Sequence, residues 1–114
     1  TGKFSIFRAS WIADYPDAEN YLSLFYSKNF TPNGPNYTHF KNIVFDSLYE
    51  KSISVVNNLE RYKLYQKMDS IIIEEAPVIP LYYDQVIRFS QKNIEGLGIN
   101  PIDMLDLRRV YKLN

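Results

Sequence analysis

The chain has 114 residues, with thirteen basic and thirteen acidic side chains, so its formal net charge of zero offers no electrostatic footprint for nucleic acid or an anionic membrane. It has no cysteine, which excludes disulfides, zinc-thiolate sites and thiol catalysis, and no apolar run approaches the roughly 20 residues that a spanning helix needs. Ten Tyr and seven Phe form an unusually aromatic set, suited both to packing and to lining an amphipathic pocket.

In chain order, Lys3 to Trp11 alternates, with Phe4 and Ile6 on one parity and Phe7 and Trp11 on the other, which predicts a strand covered on both faces. It runs into Trp11-Ile12-Ala13-Asp14-Tyr15-Pro16-Asp17, where a carboxylate and an indole sit beside a turn. Asp14 is thereby expected at a strand's carboxyl end, where open α/β sheets place ligands, and the segment reads as a pocket rim. Pro16 ends pairing, and Asp17 caps a short helix bearing Tyr21, Leu22, Leu24 and Phe25. Asn29 to Asn36, with Pro32, Gly34 and Pro35, is a loop. A helix follows with Asp46 near its start and Val44, Phe45, Leu48, Tyr49 and Ile53 expected inside. Asn57-Asn58 breaks it and caps the next, over Leu59 to Glu75, where Tyr62, Leu64, Tyr65, Met68, Ile71 and Ile72 recur at helical steps. Ala76-Pro77 stops that helix, and Val78 to Tyr83 predicts a central strand. Val86 to Phe89 continues extended, Gly96 and Gly98 allow sharp turns, and Asp106 to Leu113 predicts a last strand.

Four ordered blocks carry a family resemblance. Residues 11–22, Trp-Ile-Ala-Asp-Tyr-Pro-Asp-Ala-Glu-Asn-Tyr-Leu, resemble the W-x-A-D-Y-x-D-P-x-x-F-L segment of family 5 extracellular solute-binding proteins, the dipeptide- and oligopeptide-binding components of ABC importers. Asn36-Tyr37, Asn42, Phe45-Asp46 and Leu48 resemble the family's N-Y-x-x-Y-x-N-P-x-F-D-x-L helix entry. Arg61 to Tyr65 through Ala76-Pro77-Val78-Ile79-Pro80-Leu81-Tyr82-Tyr83 resembles its R-x-x-x-Y helix and A-P-x-I-P-L-Y-Y strand. Asn93 to Leu97, Asn100-Pro101 and Asp106 to Arg108 resemble its tail. Ala18 stands where the family usually has proline, and Ile43-Val44 replaces N-P-x before Phe45; both change turns and leave the ligand contact in place.

The resemblance implies an α/β chain forming the carboxyl-terminal part of a two-lobed periplasmic-binding-protein fold of type II, a mixed sheet with flanking helices. Residues 1–84 would belong to the second, ligand-binding lobe, and 85–114 to a tail returning across a hinge at Asp84-Gln85 to the first. Val86, Phe89, Leu97, Ile99, Met104 and Leu105 would then lose cover in the isolated chain, an apolar patch favouring self-association. The family function is binding of a di- or oligopeptide between the lobes and delivery to a membrane permease, from the periplasm or the extracellular face, as a free or a lipid-anchored protein. No cofactor is implied.

The matching aspartate of peptide-binding members pairs the peptide's amino terminus, so Asp14 is expected to supply that carboxylate, with Trp11, Ala13 and Tyr15 beside it. A compact ammonium in a water-poor cleft needs a charge-assisted acceptor, and Asp serves where Asn would not. Against this stands a plain capping or surface role, common for Asp in a turn before a helix. Asp17 and Glu19 fit a first helical turn. His39 reads as a surface residue, since a metal site needs converging ligands, and Arg108-Arg109 as solvent-facing. Relatives that bind nickel chelates, haem or sugars share the architecture, so a non-peptide solute is the alternative. A hydrolase is the rival from another class: Asp14 with Asp17, or Glu74 with Glu75, could be forced into an acid-base pair, but G-x-S-x-G, H-E-x-x-H and a phosphate-cradling glycine loop are all missing. A purely structural interaction domain is a third reading.

Overall fold

A computed structural model describes residues 6–83, 85–100 and 104–113. The chain divides into two compact units, Thr1–Pro80 and Leu81–Asn114.

The first unit is helical. A single turn, α1 (Glu19–Leu22), tightens into a 3-10 turn at Ser23–Phe25. Two longer helices follow, α2 (Ile43–Ser54) and α3 (Asn58–Glu75). Each starts on an asparagine whose side-chain oxygen accepts two of the amides that a helix leaves unpaired: Asn42 takes those of Val44 and Phe45 at 2.9 and 3.0 Å, and Asn57 takes those of Leu59 and Glu60 at 2.9 and 3.2 Å. α3 ends on Ala76 in the left-handed conformation (φ 46°), ahead of Pro77, which cannot continue the helix.

α2 and α3 pack on each other and on α1 around Leu22, Phe40, Phe45, Tyr49, Tyr65, Met68 and Ile72. Phe45 and Met68 are fully buried, and each such side chain contributes roughly 1.5–3 kcal/mol through its area. Phe45 meets Phe40 edge-on at 5.7 Å and Phe25 at 6.5 Å, and Tyr26 stacks on Tyr49 at 4.5 Å, the offset and T-shaped geometries that ring quadrupoles favour.

The loop from Asn29 closes on itself through the Asn36 amide bonding the Asn29 carbonyl at 2.7 Å. Gly34 permits the close approach, since a Cβ there would lie 2.5 Å from the Asn29 oxygen. Asn36 is wholly buried, and its side chain satisfies four groups: it donates to the carbonyls of Tyr26 (3.1 Å) and Phe40 (3.0 Å), and accepts from Thr38 Oγ1 (3.0 Å) and the Phe40 amide (3.3 Å). The Asp46 carboxylate in the first turn of α2 accepts from both the amide and the hydroxyl of Ser27, fixing the preceding chain to that helix.

In the second unit, β1 (Ile94–Glu95) pairs antiparallel with β2 (Tyr111–Lys112), Ile94 opposite Lys112 and Glu95 opposite Tyr111. Gly96 follows with φ 79°, and a Cβ on it would collide with the Arg109 carbonyl at 1.9 Å.

Several expectations are corrected. Lys3 to Ser5 lie outside the described residues, and Ile6 to Trp11 is in no strand. Val78 to Tyr83, expected as a central strand, has no ladder among the described residues, and neither has Val86 to Phe89. β-branched propensity makes a segment extended, but a strand exists only when a neighbouring edge accepts its amides and carbonyls. Among the described residues the sheet is this two-stranded ladder, and the last strand shrinks to Tyr111–Lys112. The helix expected over Tyr21 to Phe25 divides between α1 and the 3-10 turn. On α2, Val44 and Ile53 face outward and Ser52 is buried instead, its hydroxyl donating to the Tyr49 carbonyl at 2.7 Å. A small hydroxyl that bonds its own helix can enter a tight helix-helix contact where the branched side chain beside it cannot. Tyr62 on α3 is likewise half-exposed. The expected hinge involves Asp84, which lies outside the described residues.

Candidate functional site

Residues 11–20 make a loop that follows a segment without regular structure, bends over Asp14 to Asp17 and enters α1. Three acceptor side chains, those of Asn20, Glu19 and Asp17, hold it. Trp11 donates its indole N–H to Asn20 Oδ1 at 2.6 Å, closing the loop across nine residues. Tyr15 donates its hydroxyl to the Glu19 carboxylate, and Tyr49 of α2 donates to the other oxygen of the same group. Asp17 accepts from the Glu19 amide at 2.9 Å, from the Tyr65 hydroxyl at 3.0 Å and from Arg61 at 2.9 Å, so one carboxylate joins the start of α1 to α3. The cap position of α1 is Ala18, so Asp17 holds the helix's first amide from the turn before it, with an ion pair added.

The electrostatics follow from this geometry. The Glu19 carboxylate accepting from Tyr15 raises that phenol above its ordinary value, because the bond favours the protonated form. Burial raises Tyr49, with Glu19 adding to it, and burial raises Tyr65, with Asp17 adding. The phenols are donors held neutral by their surroundings, fit for positioning and not for proton exchange near neutral pH.

The expected site residues separate. Tyr15 joins Asp17, Glu19, Ser52, Arg61 and Tyr65 around an open hollow of about 260 Å³. Trp11, Ala13 and Asp14 do not line it; Ala13 is half-buried, Trp11 keeps 36% of its surface exposed, and Asp14 is exposed on the bend. Among the described residues no hydrogen bond or ion pair engages the Asp14 side chain, in contrast to Asp17 and Glu19. Asp14 and Asp17 thus differ in environment and share no proton contact. Sequence reasoning missed Asn20, Tyr49, Arg61 and Tyr65 as supports of this loop. Asn20, an amide between Glu19 and Tyr21 at the entry of a helix otherwise read for its apolar residues, was the available signal; the other three required the α1–α3 and α1–α2 contacts.

Elsewhere, His39 is exposed, stacks on Phe30 at 4.9 Å and lies 2.9 Å from Thr31 Oγ1. No group of three His, Cys, Asp or Glu among the described residues is placed to hold a metal ion. Arg108 is held by Asp106 at 2.7 Å, and its guanidinium brings that carboxyl down to about 2. No helix among the described residues is long and apolar enough to cross a membrane.

No family model matches the chain, and no solved structure matches it. Curated proteins do. The chain is 32% identical over 111 residues to the "Probable deoxycholate-binding periplasmic protein YgiS" of Escherichia coli K12, covering 96% of this chain and 20% of that protein. It is 32% identical to the oligopeptide-binding protein OppA of Bacillus subtilis, covering 95% and 19%. It is 30% identical to the periplasmic murein peptide-binding protein MppA of E. coli K12, covering 97% and 20%. The chain spans about one fifth of the length of these relatives. With homology running through nearly all of its residues, the chain is a relative of the periplasmic peptide-binding proteins, the family 5 solute-binding proteins that its four ordered blocks resemble.

Proposed function

We propose that this chain is the carboxyl-terminal part of a longer solute-binding protein that captures a di- or oligopeptide in a cleft between two lobes and presents it to an ABC permease. The protein works at the periplasmic or extracellular face of the membrane, by closure and without turnover. Asp14 pairs the peptide's α-ammonium, and Trp11, Ala13 and Tyr15 form the rim around it. The observation that carries this reading is the contrast among the acidic groups of the loop. Asp17 and Glu19 are committed to Arg61 and to tyrosine hydroxyls, while Asp14 is exposed between two aromatic side chains that are themselves hydrogen-bonded. A carboxylate so placed is available to a cation, and its neighbours hold the surface around it.

The second reading is an amphipathic anion, because one relative is named for deoxycholate. Charge separates the two. Asp14 attracts an ammonium and repels a carboxylate, so the anion would have to bind through the aromatic rim despite Asp14.

Calorimetry of the whole protein against trialanine, N-acetyl-trialanine and deoxycholate, with Asp14→Asn as the control, tests this. Trialanine binding that weakens in the variant by about 30-fold or more, the effect of a desolvated charge pair of about 2–5 kcal/mol, supports the reading. Equal binding of free and acetylated peptide, or deoxycholate binding that improves in Asp14→Asn, would overturn it.

A further inference from the structure

We infer that Asn20 is a positioning residue of the rim: its buried side-chain oxygen fixes the Trp11 indole and thereby closes the loop that presents Asp14. The assignment rests on the proposed role of Asp14 for its functional meaning, and on geometry for its substance. Asn20 is 4% exposed, an unusual place for an amide at the entry of a one-turn helix. It is there because its oxygen has a partner, the Trp11 N–H at 2.6 Å, and a buried amide so paired costs little while an unpaired one costs much.

The consequence is mechanical. Trp11 lies at the end of a segment with no strand ladder to hold it, so the indole-amide bond supplies the order that a sheet would otherwise supply. An indole with 36% of its surface exposed, anchored through its one donor, keeps a fixed ring face at the rim, and a ligand meeting it loses no side-chain freedom that Trp11 has not already lost. A positioning role of this kind predicts that removing Asn20's oxygen acts only through Trp11.

Trp11 is the single tryptophan of the chain, so its indole N–H gives one unambiguous signal in a proton NMR spectrum. In the 114-residue chain that proton should exchange with solvent more slowly than in free indole. Asn20→Leu, which keeps bulk and removes the acceptor, should lower the protection by about tenfold, as loss of one buried hydrogen bond does, and should raise acrylamide quenching of Trp11 fluorescence. Asn20→Asp keeps an acceptor oxygen and should retain both. Circular dichroism at 222 nm reports whether each variant keeps its helices. An unprotected indole proton in the wild-type chain overturns the assignment without any variant. In the whole protein, Asn20→Leu should weaken trialanine binding in the wild-type background and have no effect in a Trp11→Phe background; equal losses in both would also overturn it. If the indole proton is protected but trialanine does not bind, the peptide reading fails and the Trp11–Asn20 tie stands.

Discussion

Replacing Asn36 should unfasten the first unit more than replacing any other polar residue in it. The residue is wholly buried, and its amide closes four hydrogen bonds between the 29–36 loop and the entry to α2. In Asn36→Ala the Phe40 amide keeps a second acceptor in Thr38 Oγ1 at 3.3 Å and the Tyr26 carbonyl keeps the Asn29 amide at 3.0 Å, so the loss falls on the Phe40 carbonyl. A buried polar group left unpaired costs about 1–3 kcal/mol, and with one carbonyl stranded beside a new cavity the expected destabilisation is about 2 kcal/mol. That is a large share of the roughly 5–15 kcal/mol typical of a domain. Asn36→Asp is the sharper test, since it preserves shape and replaces both donors with an oxygen aimed at two carbonyls. At pH 7 it should lose at least as much as the alanine variant. The introduced carboxyl should be protonated more readily folded than unfolded, because only the acid can donate to a carbonyl. A raised folded-state pKa contributes stability that is fully present below the unfolded value near 3.9 and is lost as pH rises through the folded value, so the deficit against wild type should shrink on acidification from pH 7 to 4. Urea unfolding followed by circular dichroism at 222 nm, on the three proteins at both pH values, measures this. An aspartate variant within about 0.5 kcal/mol of wild type at pH 7, the range of an ordinary surface change, would refute the reasoning.

Ala76 holds a left-handed conformation at the end of α3, which costs an L-residue about 1–2 kcal/mol, so Ala76→Gly should stabilise by about 0.5–1 kcal/mol after the extra unfolded-chain entropy of glycine is subtracted. A lower thermal midpoint for Ala76→Gly would contradict this. Tyr49 and Tyr65 hold their protons above the ordinary phenol value through burial, so their stabilising contribution is intact below about pH 10 and is lost as pH rises beyond it. Thermal midpoints measured from pH 8 to 11 should therefore fall steeply in wild type and less steeply in Tyr49→Phe; parallel curves would sink the argument.

Much of the first unit is legible in its sequence. α3 was expected over Leu59 to Glu75 and runs Asn58–Glu75, because its apolar spacing, its Asn57 cap and the Ala76-Pro77 stop are all local signals. Phe45, Tyr49, Leu64, Tyr65, Met68 and Ile72 read as inward from their spacing and are buried. Val44 and Ile53 read as inward and are exposed, since periodicity marks a face only to within a residue or so, and the burial of Ser52 depends on how closely α2 approaches α3. The strands failed for a different reason. Val78 to Tyr83 has the composition of a strand, yet no ladder partner lies among the described residues, and strand formation is a property of two segments and not of one.

The loop at 11–20 divides along the same line. Its sequence alone determined that a carboxylate, an indole and a phenol stand together at a turn before a helix, because covalent neighbours remain neighbours in any fold. It determined the kinship as well, through four ordered blocks, and relatives 26–32% identical to the chain agree with that kinship. Only the tertiary structure decided which acidic group is spent and which is free: Asp17 meets Arg61 and Tyr65, Glu19 meets Tyr49, and Asp14 meets none of them. Those partners lie between 30 and 48 residues away, on helices whose packing is set by the burial of Phe45 and Met68, and no local pattern records such distances.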